Sequence, residues 1–369
     1  MYYTQAVGNI LFVMLNGCVM IASLIACCYF LFRRGNAFAP DVTPPVRLRR
    51  WAAAFFASSA LSHLWWLPYS FLSPWDTNTL YCVIAVFLDC VTVVPTITAT
   101  LLCMLQDRRR PLWPVALSLL PFVCGLAVYF VYDGEIYITF MRTYFLFLVF
   151  ALMVQMAYSI RQYRHWLHDN YADLEHKEVW HSLVVVVFIL MTLAFYGSGS
   201  ESLTYEYIVQ VNDLLLICIL LWRVETLQQL DDVAPEEPET DEAPKSVSSA
   251  PPTLPPNIGP LLQLHCENTK LYLQHGLTLY QVSEAVGTNR YYLSQYFSRQ
   301  GMTYNSYINS LRIRHFVSLY NQAVANHRRV TAQQLADESG FRSYSTFGIA
   351  FKQVMGTTVT DWMRNEKLL

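Results

Sequence analysis

With 369 residues the chain has room for two or three ordinary domains, yet 54% of it is hydrophobic and only 14% is charged. An average soluble domain carries about 25% charged residues, so this composition cannot cover a water-facing surface and excludes a wholly soluble globular protein. The net charge of −2 hides an asymmetry, because residues 223–256 hold 2 Lys/Arg against 8 Asp/Glu while residues 257–369 hold 11 against 6. A basic tail behind an acidic stretch suits a polyanionic partner.

The N-terminus lacks the basic start and small-residue cleavage site of a secretory signal, so its first apolar run reads as a retained anchor. About seven apolar runs follow one another: residues 7–32, 51–72, 79–105, 112–132, 137–160, 179–197 and 205–222. Each is near the ~20 residues that a helix needs to cross the hydrocarbon. Backbone polar groups in lipid must be satisfied within their own segment, which makes these runs helices. Residues 1–222 are thus expected to form a polytopic helical membrane domain and sensor.

Basic residues mark every second connection. Arg33, Arg34, Arg47, Arg49 and Arg50 follow the first run, Arg108 to Arg110 the third, and Arg161, Arg164 and Lys177 the fifth. The turns between them hold Asp76, Asp133, Glu135 and Glu201 but no Lys or Arg. The positive-inside rule then puts the N-terminus outside and the C-terminal tail in the cytoplasm.

Ionisable residues inside such runs are costly and often functional. His63 beside Trp65 and Trp66, Asp89, and Arg142 form a candidate ligand pocket near Pro95, with a packing hydrogen bond as the plainer reading. Four histidines, His165, His168, His176 and His181, fall in a polar extension of two helices, but no HExxH accompanies them. The nine cysteines are scattered without a CxxC pair, as buried apolar cysteines would be. No GxSxG, Walker loop or GxGxxG is present, so no metal, no cofactor and no enzymatic activity are expected.

Residues 223–260 change character: Asp231-Asp232, Glu236-Glu237, Pro251-Pro252 and Pro255-Pro256 lie among Ser and Ala. Acid and proline at low hydrophobicity predict a disordered linker spanning about 30–40 Å. So loose a tether favours coupling by proximity or dimerisation, which makes a homodimer a candidate assembly.

Residues 261–369 read as a compact helical module. Val282, Val286, Leu293 and Phe297 have the spacing of two helices meeting at a turn, which Gly287 supplies. Asn289 is placed to cap the second helix, and Gly301 to stop it. A long helix over about 304–321 leads to a second such pattern around Ala336 and Gly340, with a further helix starting at Arg342 or Ser343. Tyr291, Ser294 and Gln295 on one exposed face, and Tyr344, Ser345 and Ile349 on the other, suit contacts to base edges. Arg290, Arg299, Arg312, Arg314 and Lys352 are expected to hold phosphates.

These residues carry a family resemblance. The run Tyr292-Leu293-Ser294-Gln295-Tyr296-Phe297, then Gly301-Met302-Thr303 and Leu311-Arg312-Ile313, resembles the AraC/XylS family of bacterial transcription regulators. So do Gln334-Leu335-Ala336, Ser339-Gly340-Phe341, Ser345-Thr346-Phe347 and Gly356-Thr357-Thr358. The resemblance covers only about the last 100 residues. It implies two helix-turn-helix subdomains joined by a long helix, with both recognition helices in successive major grooves of double-stranded DNA. By position it also implies base contacts from Tyr291, Ser294, Gln295, Tyr344, Ser345 and Ile349. Ser283 stands where the family has a small Ala, Val359 where it has Pro, and Ile349 where some members have Arg.

The expectation is therefore an all-α chain, a membrane bundle of about seven spans plus a double helix-turn-helix domain. It would be a membrane-anchored regulator in the bacterial cytoplasmic (inner) membrane, with DNA, the membrane and an unknown ligand or membrane partner as its contacts. The alternatives are a membrane transporter or enzyme regulated by its tail, and a scaffold whose tail binds protein.

Overall fold

The computed structural model describes residues 10–33, 35–40, 42–67, 77–108, 110–129, 134–175, 177–179, 184–185, 187, 203–230 and 258–366. The described residues are helical, with no strand and a single isolated bridge between Tyr171 and Thr278. They separate into two compact units. The first comprises Met1–Tyr163 and His176–Pro235, the second Arg164–Glu175 and Glu236–Leu369.

The first unit is built on α1 (Ile10–Phe32), α2 (Val46–Trp66), α3 (Thr77–Cys103), α4 (Trp113–Leu117), α5 (Leu120–Tyr129), α6 (Gly134–Asn170, up to Tyr163) and α7 (Leu203–Thr226). Helices α1, α2, α3 and α7 pack together, burying Val19, Ala26, Leu48, Ala52, Phe56 and Leu220. Apolar residues stand open on α1 and α6: Ile10, Phe32, Phe147 and Phe150 are all strongly exposed. Polar pairs stitch the helices together, Ser58 to Thr96 at 2.9 Å and Ser23 to Ser59 at 3.3 Å, as small hydroxyls do between helices in lipid. Pro95 lies inside α3. Thr92, Thr96, Thr98 and Thr100 there donate back to carbonyls in the preceding turn.

Four of the described helices are long and apolar enough to cross a membrane: Ile10–Phe32, Val83–Cys103, Thr139–Asn170 and Tyr207–Thr226. The expected count of about seven is not reached among the described residues. The run at 112–132 is split into α4 and α5, each with an early proline, Pro114 and Pro121, that lacks the N–H a continuous helix needs. Helix α2 begins at Val46 and so takes in three arginines, and Ala and Ser fill much of its body, which lowers its hydropathy. The run at 179–197 lies almost wholly outside the described residues.

Both ends of the stretch expected as a linker, 223–230 and 258–260, are helical or packed. Val224, Leu227 and Leu230 are buried, Gln229 donates its N–H to Thr43 O, and Gln106 bonds both Gln228 O and Leu230 N. Residues 223–230 therefore finish the first unit. At the other end Ile258 is already helical and buried. The stretch 231–257 lies outside the described residues.

The second unit contains α8 (Ile258–Leu262), α9 (Leu279–Val286), α10 (Arg290–Arg299), α11 (Tyr304–Ala325), α12 (Ala332–Glu338), α13 (Tyr344–Met355) and α14 (Val359–Glu366). It has two hydrophobic cores. Leu262, Leu277, Val282, Leu293, Phe297 and Ile308 form one; Phe316, Leu335, Phe341, Phe347 and Phe351 form the other. Helix α11 contributes to both, with Leu311 in the first and Ile313 in the second.

Candidate nucleic-acid interface

Each half of the second unit presents a short helix, a tight turn and a second helix with an exposed face. In the first half, Thr278 and Gln281 form a reciprocal cap on α9: each backbone N–H donates to the other's side chain, at 3.0 and 3.2 Å. Gly287 ends α9 at φ 71°, a left-handed conformation that costs glycine little. The Asn289 side chain then accepts from the N–H of Tyr291 at 2.7 Å and starts α10. In the second half Thr331 caps α12 and Ser343 caps α13. Ser283, where a small Ala is usual, is buried with its hydroxyl donating to Tyr280 O at 2.7 Å, so the replacement leaves no orphaned group.

On α10, Leu293 and Phe297 point into the core, which leaves Tyr291 exposed and Ser294 and Gln295 half-exposed beside it. Gln295 donates to the Tyr291 hydroxyl at 2.6 Å, so the two side chains hold each other in place. On α13, Phe347, Ala350 and Phe351 are buried, while Tyr344, Ser345 and Ile349 stand out, Ile349 at 71% exposure. An isoleucine this exposed on a polar surface suits an apolar contact such as a thymine methyl.

The basic residues divide. Arg299, Arg314 and Lys352 are exposed to solvent. Arg312 is not: it is fully buried, and its expected phosphate role is corrected here. Its Nε donates to Tyr272 O at 2.7 Å and one Nη to Gln274 O at 2.8 Å, while the other pairs with Asp173 at 2.6 Å. Arg290 is half-buried and donates to Asn170 through Nε and Nη. Arg342, exposed one residue before the α13 cap, is a further cation at this surface that was not singled out from sequence. Arg328 and Arg329 extend the exposed positive charge along the connection to α12.

Burial governs the titratable groups of this unit. The Cys266 thiol, packed in the first core, is pushed up to about 12 by loss of water and then by neighbouring Glu267. Tyr307 rises for the same reason and donates to Glu267 at 2.9 Å. His315, edge-on to Tyr272, is lowered by burial and by Lys270. None of these groups sits on the α10 or α13 faces.

A family model described as a helix-turn-helix domain matches residues 282–365, from within α9 to within α14. The match supports an AraC-type DNA-binding domain at this end of the chain. No curated protein and no solved structure matches the chain.

In the first unit the expected pocket residues His63 and Asp89 lie near each other and near Asp213. Asp89 accepts from the indole N–H groups of Trp65 at 3.1 Å and Trp66 at 2.6 Å. His63 also meets Asp213, with Nε2 at 3.6 Å and Nδ1 against Ser59 O. Sequence reading passed over Asp213, although it is the one acidic residue in the middle of the last apolar run. The Arg142 side chain lies outside the described part. Of the four histidines between 165 and 181, His165 is largely exposed and lies 3.4 Å from Asp169 on the same helix.

Proposed function

We propose that the chain is a membrane-anchored, one-component transcription regulator of the bacterial cytoplasmic membrane. Its C-terminal double helix-turn-helix domain would bind double-stranded DNA in the cytoplasm, under control of the apolar helices. The observation that carries this reading is the union on one chain of two features. One is a pair of capped helices with exposed Tyr, Ser and Gln faces on an AraC-type domain; the other is a set of helices apolar enough to cross a membrane. The alternation of basic and base-free connections supports a cytoplasmic tail. The polar residues His63, Asp89 and Asp213 in the first unit are where a ligand, a membrane state or a partner protein would act.

Two substitutions separate reading from anchoring. Gln295→Ala removes a side chain on the exposed α10 face and is expected to relax preference at one or two base positions by about 1–3 kcal/mol. Arg299→Ala removes a phosphate contact and should weaken all duplexes alike, lowering the salt slope by about 0.9. Quantitative binding of a base-substituted duplex series to the detergent-purified chain measures both. An unchanged base preference in Gln295→Ala would place the reading face elsewhere.

A further inference from the structure

Residues 164–175 belong to the second unit although they lie far from it in sequence. They comprise the last turns of α6 and the residues just after it. Ala172 is fully buried in the first core with Cys266, Leu277 and Val282. Its N–H donates to Leu277 O at 3.0 Å, and the carbonyls of Tyr171 and Ala172 both accept from Asn305 Nδ2. Asp173 pairs with buried Arg312 and also accepts the N–H of Gly276. The segment is thus keyed into the domain by its backbone and by a buried charge.

One residue earlier, this anchored segment touches the DNA-reading surface. Asn170 is 7% exposed, and its Nδ2 donates to Trp166 O at 2.7 Å, which turns its Oδ1 outward. That oxygen accepts from Arg290 Nε at 3.0 Å and Nη2 at 2.7 Å. Arg290 is the first residue of α10, immediately before Tyr291.

We propose that residues 164–175 are an inhibitory clamp, in which Asn170 withholds Arg290 from the DNA backbone. The proposal rests on the DNA-binding reading above. A phosphate is a charged acceptor and intrinsically outbids a neutral amide oxygen for a guanidinium. The amide prevails because its position is prepaid by the anchoring of Ala172 and Asp173 beside it, whereas a phosphate must be brought from solution. Such a clamp is close to balance and can be released. Helix α6 begins in the first unit and ends in this contact. A shift of its last turn would therefore change DNA affinity without acting through residues 231–257.

The test uses the full chain in lipid nanodiscs and random-sequence duplex DNA, titrated at several salt concentrations. Wild type is compared with Asn170→Ala, Asn170→Asp, Arg290→Ala and the Asn170→Ala/Arg290→Ala double variant. Asn170→Ala removes this acceptor from Arg290 and is expected to tighten binding about three- to ten-fold, steepening the log–log salt slope by about 0.9. Asn170→Asp strengthens the clamp and should weaken binding. Damage to the fold would weaken both, so the opposite signs separate release from misfolding. Arg290→Ala should abolish the gain in Asn170→Ala, a coupling that a double-mutant cycle reads directly. Asn170→Ala binding no tighter than wild type, or Arg290→Ala costing the same in both backgrounds, would overturn the clamp while leaving DNA binding intact. Absence of duplex binding by every form would overturn both.

Discussion

Replacing Asp173 with Ala is expected to destabilise the DNA-binding unit by about 3 kcal/mol, although Asp173 lies more than a hundred residues before α9. The partner it leaves behind, Arg312, is fully buried, and an uncompensated buried charge commonly costs about 3–5 kcal/mol. The lower end applies because Arg312 keeps the carbonyls of Tyr272 and Gln274 and lies over the Phe341 ring at 5.5 Å. Native-state hydrogen exchange on the full chain reads this locally. Amides in α10 and α11 should exchange about a hundred-fold faster, as a loss of that size implies. Unchanged protection there would mean that Arg312 does not need the carboxylate. The same physics predicts that a fragment limited to residues 257–369 lacks a component of its own core.

The second large effect is expected at Gly340. Its φ is +85°, and a Cβ added there would stand 2.6 Å from Leu273 O and 2.8 Å from Leu273 Cα. Both neighbours are backbone and cannot swing aside. A side chain in this conformation alone costs about 1–3 kcal/mol, and the overlap adds to it. Gly340→Ala should therefore lose about 4 kcal/mol or more, in the exceptional range for one methyl group. Gly348, inside α13 with open space around its Cα, is the control: Gly348→Ala should gain about 0.5–1 kcal/mol from helix propensity. Circular dichroism melts of the two purified variants check the pair. Equal stability of both would show that the contact between Gly340 and Leu273 does not hold the two halves together.

Much of the second unit could be read from the residues because each device there is local. Asn289 caps the helix it precedes, Gly287 makes the turn, and Leu293 and Phe297 follow helical spacing into the core. Arg312 misled for a physical reason. On most helices a residue flanked by two apolar ones would face water, but α11 passes from one core to the other at this point. Leu311, Arg312 and Ile313 are consecutively buried as a result. Its counter-ion could not be found by pattern at all, since no periodicity links residue 173 to residue 312. The loop that carries Asp173 reads as an ordinary polar extension until Ala172 is seen inside the core.

The first unit was less legible. Hydropathy locates apolar runs but not where prolines break them, which is how residues 112–132 became two short helices. Nor does it pair the polar residues. The two indole donors to Asp89 and the Asp213 carboxylate facing His63 could not be paired from hydropathy. The edges of the acidic stretch are set by packing, which composition does not show: Leu227 and Leu230 are buried.

In the proposed function, α10 and α13 together read a DNA sequence. The most direct measurement is selection from random duplex DNA by the full chain in nanodiscs. The expected result is enrichment of a site with two half-elements about one helical turn, ~10–10.5 base pairs, apart, with the α10 half-element altered in Gln295→Ala. Enrichment of no sequence at low salt, where phosphate contacts are strongest, would contradict it.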